Sequence, residues 1–179
     1  MAGILKVDKY QDFNGNDIMT SDGSGNLTLN NAAMKATPAF EAYLSANDDI
    51  NDDATIKIAS NTKVFDTDNC YDNSTNYRFT PTTAGKYFVY CQIYGDVGNA
   101  DDWNYTITIL RKNGSSIKSA RTDLRNAPGR EGSTFLSTVV DMNGSTDYVE
   151  LWGQVYAQDG AGMLYLNTET YFGAFKLVE

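Results

Sequence analysis

The segment AGKYFVYCQIYG, at residues 84–95, constrains the fold more than any other part of this chain. After Gly85 its side chains alternate as those of a β-strand do, with neighbours on opposite faces. An antiparallel strand normally turns one face to the core and the other to water. Here both faces are apolar, so the second face needs a covering surface of its own. The core face carries Tyr87, Val89, Cys91 and Ile93, and the second face carries Phe88, Tyr90, Gln92 and Tyr94.

The rest of the chain also predicts an all-β fold. No window shows a sustained helical period of apolar residues, and β-branched and aromatic residues dominate. About eight strands follow Pro38, at the spacing expected of an antiparallel sandwich or jelly roll. Asn113-Gly114 fits the left-handed turn that two-residue hairpin loops prefer, and Asn143-Gly144 marks a second strand pair.

The amino-acid composition is different before Pro38. The stretch DFNGNDIMTSDGSGNLTLNN is rich in Gly, Asn, Asp and Ser, and it is too short to bury a core alone. We therefore divide the chain into a short β-rich leader at residues 1–35 and a head at residues 36–179. The leader is either a flexible tail or a segment that becomes ordered on a partner, and its apolar residues, which recur on a strand period, favour the second.

The predicted connections differ in length between the two ends of the sandwich. Antiparallel alternation gathers three long loops at one end and tight turns at the other, and long loops on a rigid scaffold often build binding surfaces. The alternative is that these loops are long without any role in binding. Trp103 and Tyr156 would suit stacking on a sugar, although each could equally pack beneath its loop. The candidate receptor-facing residues are Asp101, Asp102, Trp103, Arg125, Arg130, Tyr156 and Asp159.

The sequence lacks the residues on which most enzyme mechanisms depend. It has no histidine, which excludes Ser-His-Asp and Cys-His triads. It has no glycine-rich nucleotide-binding motif, and its acidic pairs lie beside Asn in predicted turns. Asp66, Asp68 and Asp72 alternate but lack the glycine and the final glutamate of an EF-hand. We predict no enzymatic activity, no cofactor and no metal site.

Charge and cysteine usage narrow the partners and the compartment. A net charge of −9 with scattered Lys and Arg argues against a nucleic-acid partner. No apolar stretch approaches the roughly 20 residues that span a bilayer, so we expect no membrane insertion. The amino terminus does not have the pattern of a signal peptide, which predicts synthesis in a cytoplasm. Cys70 and Cys91 could form one disulfide, but a reducing compartment disfavours it and Cys91 lies on the core face of its strand, which favours two buried free thiols.

Several short motifs follow one another along the chain: Phe65-Asp66, Asn69, Tyr71-Asp72, Phe79-Thr80, Ala84-Gly85-Lys86-Tyr87 with Tyr90, and Tyr171-Phe172-Gly173-Ala174-Phe175. Their order and spacing resemble those of the globular head of complement component one, subcomponent q, and its relative tumour necrosis factor (TNF). The resemblance runs from about Pro38 to Glu179 and implies an antiparallel jelly-roll sandwich of about ten strands. No Gly-X-Y collagen stalk precedes the head, which separates this chain from a collagen-linked immune protein.

The resemblance also implies a homotrimer with a three-fold axis, in which the second face of the opening strand lines that axis. Three copies of these aromatic residues would remove one another from water, at roughly 25 cal/mol per Å² of apolar area. A deeper sandwich with both faces internal is the alternative, but the sequence offers no third layer. The implied interface residues are Phe88, Tyr90, Gln92, Tyr171, Gly173 and Phe175.

The leader is similar to the amino-terminal attachment segments of bacteriophage tail fibres and other virion appendages. This resemblance implies a virion structural protein, whose leader binds other virion proteins and whose head contacts a glycan or protein of the host surface. The rival interpretations are a cement or connector protein without a ligand, a bacterial surface or spore-coat protein, and a carboxylate glycosidase acting on capsule. The predicted anchoring residues are Ile4, Leu5, Val7, Ile18, Leu27 and Leu29.

Overall fold

The computed structural model describes residues 6–30, 36–98, 102–158, 163–165 and 168–177. These residues form sixteen strands and no helix. In the leader the strands are β1 (Lys9–Gln11), β2 (Asp17–Ser21) and β3 (Leu27–Leu29). Those of the head are β4 (Ala39–Tyr43), β5 (Asp48–Ile50), β6 (Thr55–Lys57), β7 (Thr62–Asp66), β8 (Tyr71–Asp72), β9 (Arg78–Phe79), β10 (Ala84–Asp96), β11 (Trp103–Lys112), β12 (Ser115–Asp123), β13 (Glu131–Asn143), β14 (Val149–Ala157), β15 (Met163–Tyr165) and β16 (Tyr171–Lys176).

The head is a sandwich of two antiparallel sheets. The front sheet has the strand order β13-β10-β16-β4-β7, and β15 and β5 extend it beside the end of β10. The back sheet runs β12-β11-β14, and β14 then pairs with both β6 and β9, the latter followed by β8. The predicted all-β sandwich is confirmed. The described strands outnumber the predicted eight because several are only two or three residues long, too short to show alternation in sequence.

The core lies between the two sheets and depends on the alternation that the sequence shows. Tyr87, Val89, Cys91 and Ile93 of β10 are all buried, which confirms the predicted core face. At the centre, Phe40 of the front sheet stacks on two rings of the back sheet, with ring centroids 4.4 Å from Tyr71 and 4.6 Å from Phe79. Such aromatic pairs bury large areas and fix the position of one sheet on the other.

Two predictions about local structure are confirmed. Asn113 and Gly114 both have positive φ, 51° and 80°, and form the tight turn between β11 and β12. Cys70 and Cys91 are both free and buried, and burial is the main cause that raises the pKa of each thiol. Neither thiol is therefore poised to react.

The alternating aspartates have a structural role in the strand connections. Asp66 accepts hydrogen bonds from the backbone N–H groups of Cys70 (2.9 Å) and Tyr71 (3.1 Å). Asp72 accepts others from Ser74 and Thr75, which hold its pKa well below the usual range. In the part of the chain that the structure describes, no cluster of acidic or cysteine side chains is placed to hold a metal ion. The described residues also include no helix that could span a membrane.

Candidate functional site

The front sheet leaves one of its faces open, and that face is aromatic. Phe88 lies directly opposite Phe175 in the ladder between β10 and β16, and Gln92 lies opposite Tyr171. The rings form a connected cluster, with centroids 5.4 Å apart for Phe88 and Phe175 and 6.3 Å apart for Tyr90 and Tyr171. The structure therefore brings all six predicted interface residues together on one surface, which we call the open face: Phe88, Tyr90, Gln92, Tyr171, Gly173 and Phe175.

Gly173 determines how Tyr90 lies on the open face. A Cβ atom at Gly173 would overlap the ring of Tyr90, so only glycine lets this ring cross β16. After crossing, the Tyr90 hydroxyl donates a 2.7 Å hydrogen bond to Oε2 of Glu41 on β4. Burial and this hydrogen bond raise the pKa of Tyr90, so the phenol stays a neutral donor.

Both flanks of the open face are also apolar, and the two flanks differ. On one side, Phe135 and Val139 of β13 are 51% and 49% exposed, opposite Gln92 and Phe88 in the ladder. On the other side, Phe65 of β7 is exposed beside Glu41. The sequence reasoning did not include these flanks. The sequence STFLSTVV of β13 contains a weaker signal, because it places two apolar residues on each face, Leu136 and Val140 on one and Phe135 and Val139 on the other.

The three long connections meet at one end of the sandwich, as the alternation of strands predicts. The backbone N–H of Val97 donates to Arg130 O (3.0 Å), and that of Trp103 donates to Gly129 O (2.9 Å). Gln158 N, from the third connection, donates to Asp102 O (2.8 Å). We call this region the loop end. Asp101 and Asp159, which the sequence analysis also assigned to this region, lie outside the described residues.

Trp103 is not the exposed aromatic that sugar stacking would require. Its side chain is 1% exposed, and its Nε1–H donates a 2.8 Å hydrogen bond to Thr106 Oγ1. The ring packs over Gly132, where a Cβ atom would overlap it. Asp102 is buried as well. Both residues are therefore corrected from candidate receptor contacts to parts of the packing beneath the loops.

Tyr156, Arg125 and Arg130 remain available at the surface. Tyr156 is half-buried and stacks on Tyr105 at a centroid distance of 5.2 Å, which occupies one of its two ring faces. Arg125 is exposed and pairs with Asp123 (2.7 Å). Arg130 is exposed too, but its guanidinium reaches down to the buried carboxylate of Asp96 (3.1 Å).

We expect the substitution Arg130→Gln to raise the pKa of Asp96. The Arg130 guanidinium, helped by the backbone N–H of Gly98, holds the pKa of Asp96 below its usual range of about 3.9. Because the pKa is depressed on folding, the stabilisation is present above that usual value and is lost as the pH falls through the folded pKa. The variant should therefore be less stable than the parent at neutral pH, and this difference in stability should shrink as the pH falls through the folded pKa of Asp96 in the parent.

The measurement is a carbon NMR titration of the Asp96 carboxyl group. Arg125→Gln is the matched control, because Arg125 pairs with Asp123 on the surface and should leave the Asp96 titration unchanged. If the pKa of Asp96 is unchanged in Arg130→Gln, the ion pair with Arg130 is not what lowers it.

Several apolar leader residues lie on one face of a small sheet. Met19 pairs with Leu29, and alternation puts Leu27 on that face, while Ile18 is the extra residue where the register between β1 and β2 shifts. Val7 lies exposed just before β1. Ile4 and Leu5 lie outside the described residues. Tyr10 and Met19, which the sequence reasoning did not select, are the additional apolar residues on the face of Leu27 and Leu29.

No family model and no curated protein matches this sequence. Solved structures match it through their fold. Murine APRIL is 12% identical with a TM-score of 0.56, over 78% of this chain and 98% of its own. Eiger TNF from S. frugiperda is 12% identical with a TM-score of 0.58, over 79% of this chain and 92% of its own. The globular domain of zebrafish complement 1qA is 14% identical with a TM-score of 0.54, over 79% and 98%.

The fold is a TNF-like jelly roll. This confirms the architecture that the ordered motifs of the head predicted. At 12–14% identity the likeness shows the fold alone, so assembly and function have to be argued from the open face and the loop end.

Proposed function

We propose that this TNF-like head assembles as a homotrimer through its open face and acts as a non-catalytic binding module. The observation that carries the proposal is the aromatic cluster of Phe88, Tyr90, Tyr171 and Phe175 on the outside of a sheet whose other face already forms the core. Contiguous apolar patches of this kind mark protein contact sites on soluble proteins.

The unlike flanks of the open face favour a closed ring over a two-fold dimer. In a two-fold contact one patch packs against its own copy, whereas a ring joins two different patches of neighbouring subunits. Phe135 and Val139 on one flank and Phe65 on the other provide such a pair of surfaces. The three-fold number is supported by the likeness of the fold to TNF and complement 1q heads.

The Tyr90–Glu41 hydrogen bond gives the proposed interface a fixed polar element. Glu41 is only partly buried in the single chain, and its partner on β10 fixes its orientation. A carboxylate that enters an interface with its hydrogen bond already made costs less desolvation than an unpaired one. The open face is therefore compatible with burial between copies despite carrying this charge.

The absolute mass in solution tests the proposal directly. Light scattering behind a sizing column should give three times the chain mass of 19.7 kDa. A mass of one chain would overturn the trimer, and a mass of two would replace the ring by a two-fold dimer. The measurement should be repeated over a range of concentrations, because assembly follows mass action.

We further propose that the trimer is a virion structural protein of a bacteriophage, a fibre or decoration head that is made in the host cytoplasm and joined to the particle by its leader. The support is the resemblance of the leader to virion attachment segments, together with its arrangement as a small sheet of its own. The loop end is the proposed surface for a host glycan or protein. Its exposed polar residues Arg125 and Arg130 and the half-buried ring of Tyr156 are the groups that such a ligand would meet.

Two measurements test the virion role. Mass spectrometry should find the chain in purified particles and not in host envelopes, whereas the reverse result would favour a bacterial surface or spore-coat protein. The double variant Arg125→Ala, Tyr156→Ala should weaken adsorption of particles to host cells. If adsorption is unchanged and particles become less stable when the whole protein is removed, a cement or connector role replaces receptor binding.

A further inference from the structure

The leader forms a three-stranded antiparallel sheet that is apolar on one face and polar on the other. Paired residues of neighbouring strands lie on the same face. Tyr10 pairs with Met19, and Met19 pairs with Leu29, so these three share one face. Alternation adds Leu27 to that face. The opposite face carries the row Lys9, Thr20 and Thr28.

None of residues 6–30 is buried, so this sheet has no core of its own. Tyr10 and Leu27 are 52% and 58% exposed. They line a shallow groove of about 50 Å³ together with Val7, Met19 and the polar residues Asp8, Lys9 and Ser21 at its edge. A sheet of this size needs a covered hydrophobic face to be stable in water. The apolar face of the leader therefore needs a second surface to cover it.

The two turns of the leader hold this face in shape before any partner arrives. Asp12 and Asp22 open turns of the same form, D-x-x-G-N. Oδ1 of Asp12 accepts from the backbone N–H groups of Asn14 and Asn16, and Oδ2 from the Asn16 side chain. Asp22 makes the same set of bonds with Ser24 and Asn26. Because these side chains fix the strand register, the leader loses little further conformational entropy when its apolar face is covered.

We infer that the apolar face of the leader is covered by the leaders of the other two chains, so that three sheets form a short stalk with a common apolar core. This inference rests on the proposed trimer. Nine peptide units join Asn30 to Ala39, a span of at most about 32 Å. Ala39 begins β4, which pairs with β16 beside the open face. Assembly of three heads thus confines three leaders to a small volume, at effective concentrations on the order of millimolar.

The charge and shape of the leader sheet are compatible with packing against two further leaders. Three strands about 4.8 Å apart give a face roughly 10 Å wide, and three such faces can enclose a core one side chain deep. The apolar row of Tyr10, Met19 and Leu29 carries no charge that would repel its copies. The row of Lys9, Thr20 and Thr28 would stay in water. Contacts to other virion proteins would then come from the outer surface of the stalk and from residues 1–5.

Engineered cysteines in the full chain test whether the apolar faces meet. The native thiols of Cys70 and Cys91 are buried, so they do not compete. Leu29→Cys places a thiol on the apolar face, and Thr28→Cys places one on the polar face of the same strand. Under mild oxidation we expect disulfide-linked pairs of chains within the trimer for Leu29→Cys and none for Thr28→Cys.

The outcomes separate this inference from the proposed trimer. If the chain has the mass of three but Leu29→Cys does not form linked pairs more than Thr28→Cys does, the stalk is overturned and the head trimer stands. If the mass is that of one chain, the proposed trimer fails and the stalk fails with it. Preferential linking of Leu29→Cys in a trimeric sample supports the stalk.

A second pair of adjacent variants measures the packing itself. Met19→Asp puts a charge on the apolar face, and Thr20→Asp puts the same charge on the polar face. Amide hydrogen exchange in β2 and β3 should become at least about tenfold faster in Met19→Asp and stay near the parent rate in Thr20→Asp, with the trimer mass unchanged in both. Equal rates in the two variants would overturn the inference.

Discussion

The substitution Phe175→Asp should reduce the solution mass from three chains to one. Phe175 lies in the aromatic cluster of the open face, with ring centroids 5.4 Å from Phe88 and 6.5 Å from Tyr90. In the proposed trimer an aspartate there would be an unpaired charge in an apolar interface, a cost of several kcal/mol for each of three copies. Phe175 is 36% exposed in the single chain, so the head should still fold.

Two controls make the result specific. Ile117→Asp introduces the same charge at a residue of β12 that is 42% exposed on the back sheet, and it should leave the trimer intact. Phe135→Asp alters the flank of the open face, and it should also yield single chains if the flanks contact neighbouring copies. Light scattering measures all three variants, and circular dichroism checks that each is folded. If both Phe175→Asp and Phe135→Asp remain trimeric, the open face is not the interface of the trimer.

The sequence predicted the open face because the information is local. In β10, alternate residues separate into two apolar sets within a single strand, and Tyr87 is buried while Phe88 is only partly buried, as the alternation requires. Such alternation can be recognised from the sequence of one strand, without knowing which strands it pairs with. The same holds for the turn at Asn113-Gly114, whose left-handed conformation is set by two residues.

Other parts of the open face depend on strands that are distant in sequence, and they were not predicted. Tyr90 reaches Glu41, 49 residues away, only because β16 lies between β10 and β4 and carries Gly173 at the crossing point. The flank residue Phe65 joins this surface through a bulged pairing of β7 with β4. Register between distant strands is a property of the whole sheet, so no short window of sequence contains it.

Trp103 shows where local reasoning about the loop end was misleading. Its neighbours, DDWNY, have the composition of an exposed turn. The ring is nevertheless buried because Gly132, the second residue of β13, leaves the space that the ring fills. A bridge between Trp103 and Gly129 then holds the connection between β12 and β13 over it. An isolated tryptophan in a polar segment does not reveal that a glycine 29 residues further along the chain will make room for it.

The substitution Trp103→Ala should therefore lower the free energy of unfolding by about 3–5 kcal/mol, the usual range for removing a buried tryptophan side chain. The loss combines the burial of the ring with the hydrogen bond from Nε1 to Thr106. Urea unfolding followed by far-ultraviolet circular dichroism measures this loss. The dependence of the free energy of unfolding on urea concentration should be the same in the variant and the parent if the substitution changes stability alone. In a trimeric sample the comparison is made at one chain concentration, because dissociation contributes to the measured value.

Tyr156→Ala is the control, because its ring is half-buried and packs on Tyr105 at the surface, so it should cost less than Trp103→Ala. A loss below about 1 kcal/mol for Trp103→Ala would contradict the burial of this ring. The expected loss also decides how binding data must be interpreted. Since the Trp103 ring packs beneath the connection at Gly129 and Gly132, reduced receptor binding in Trp103→Ala would follow from a displaced loop. Reduced binding in Tyr156→Ala with stability preserved would instead locate the contact itself.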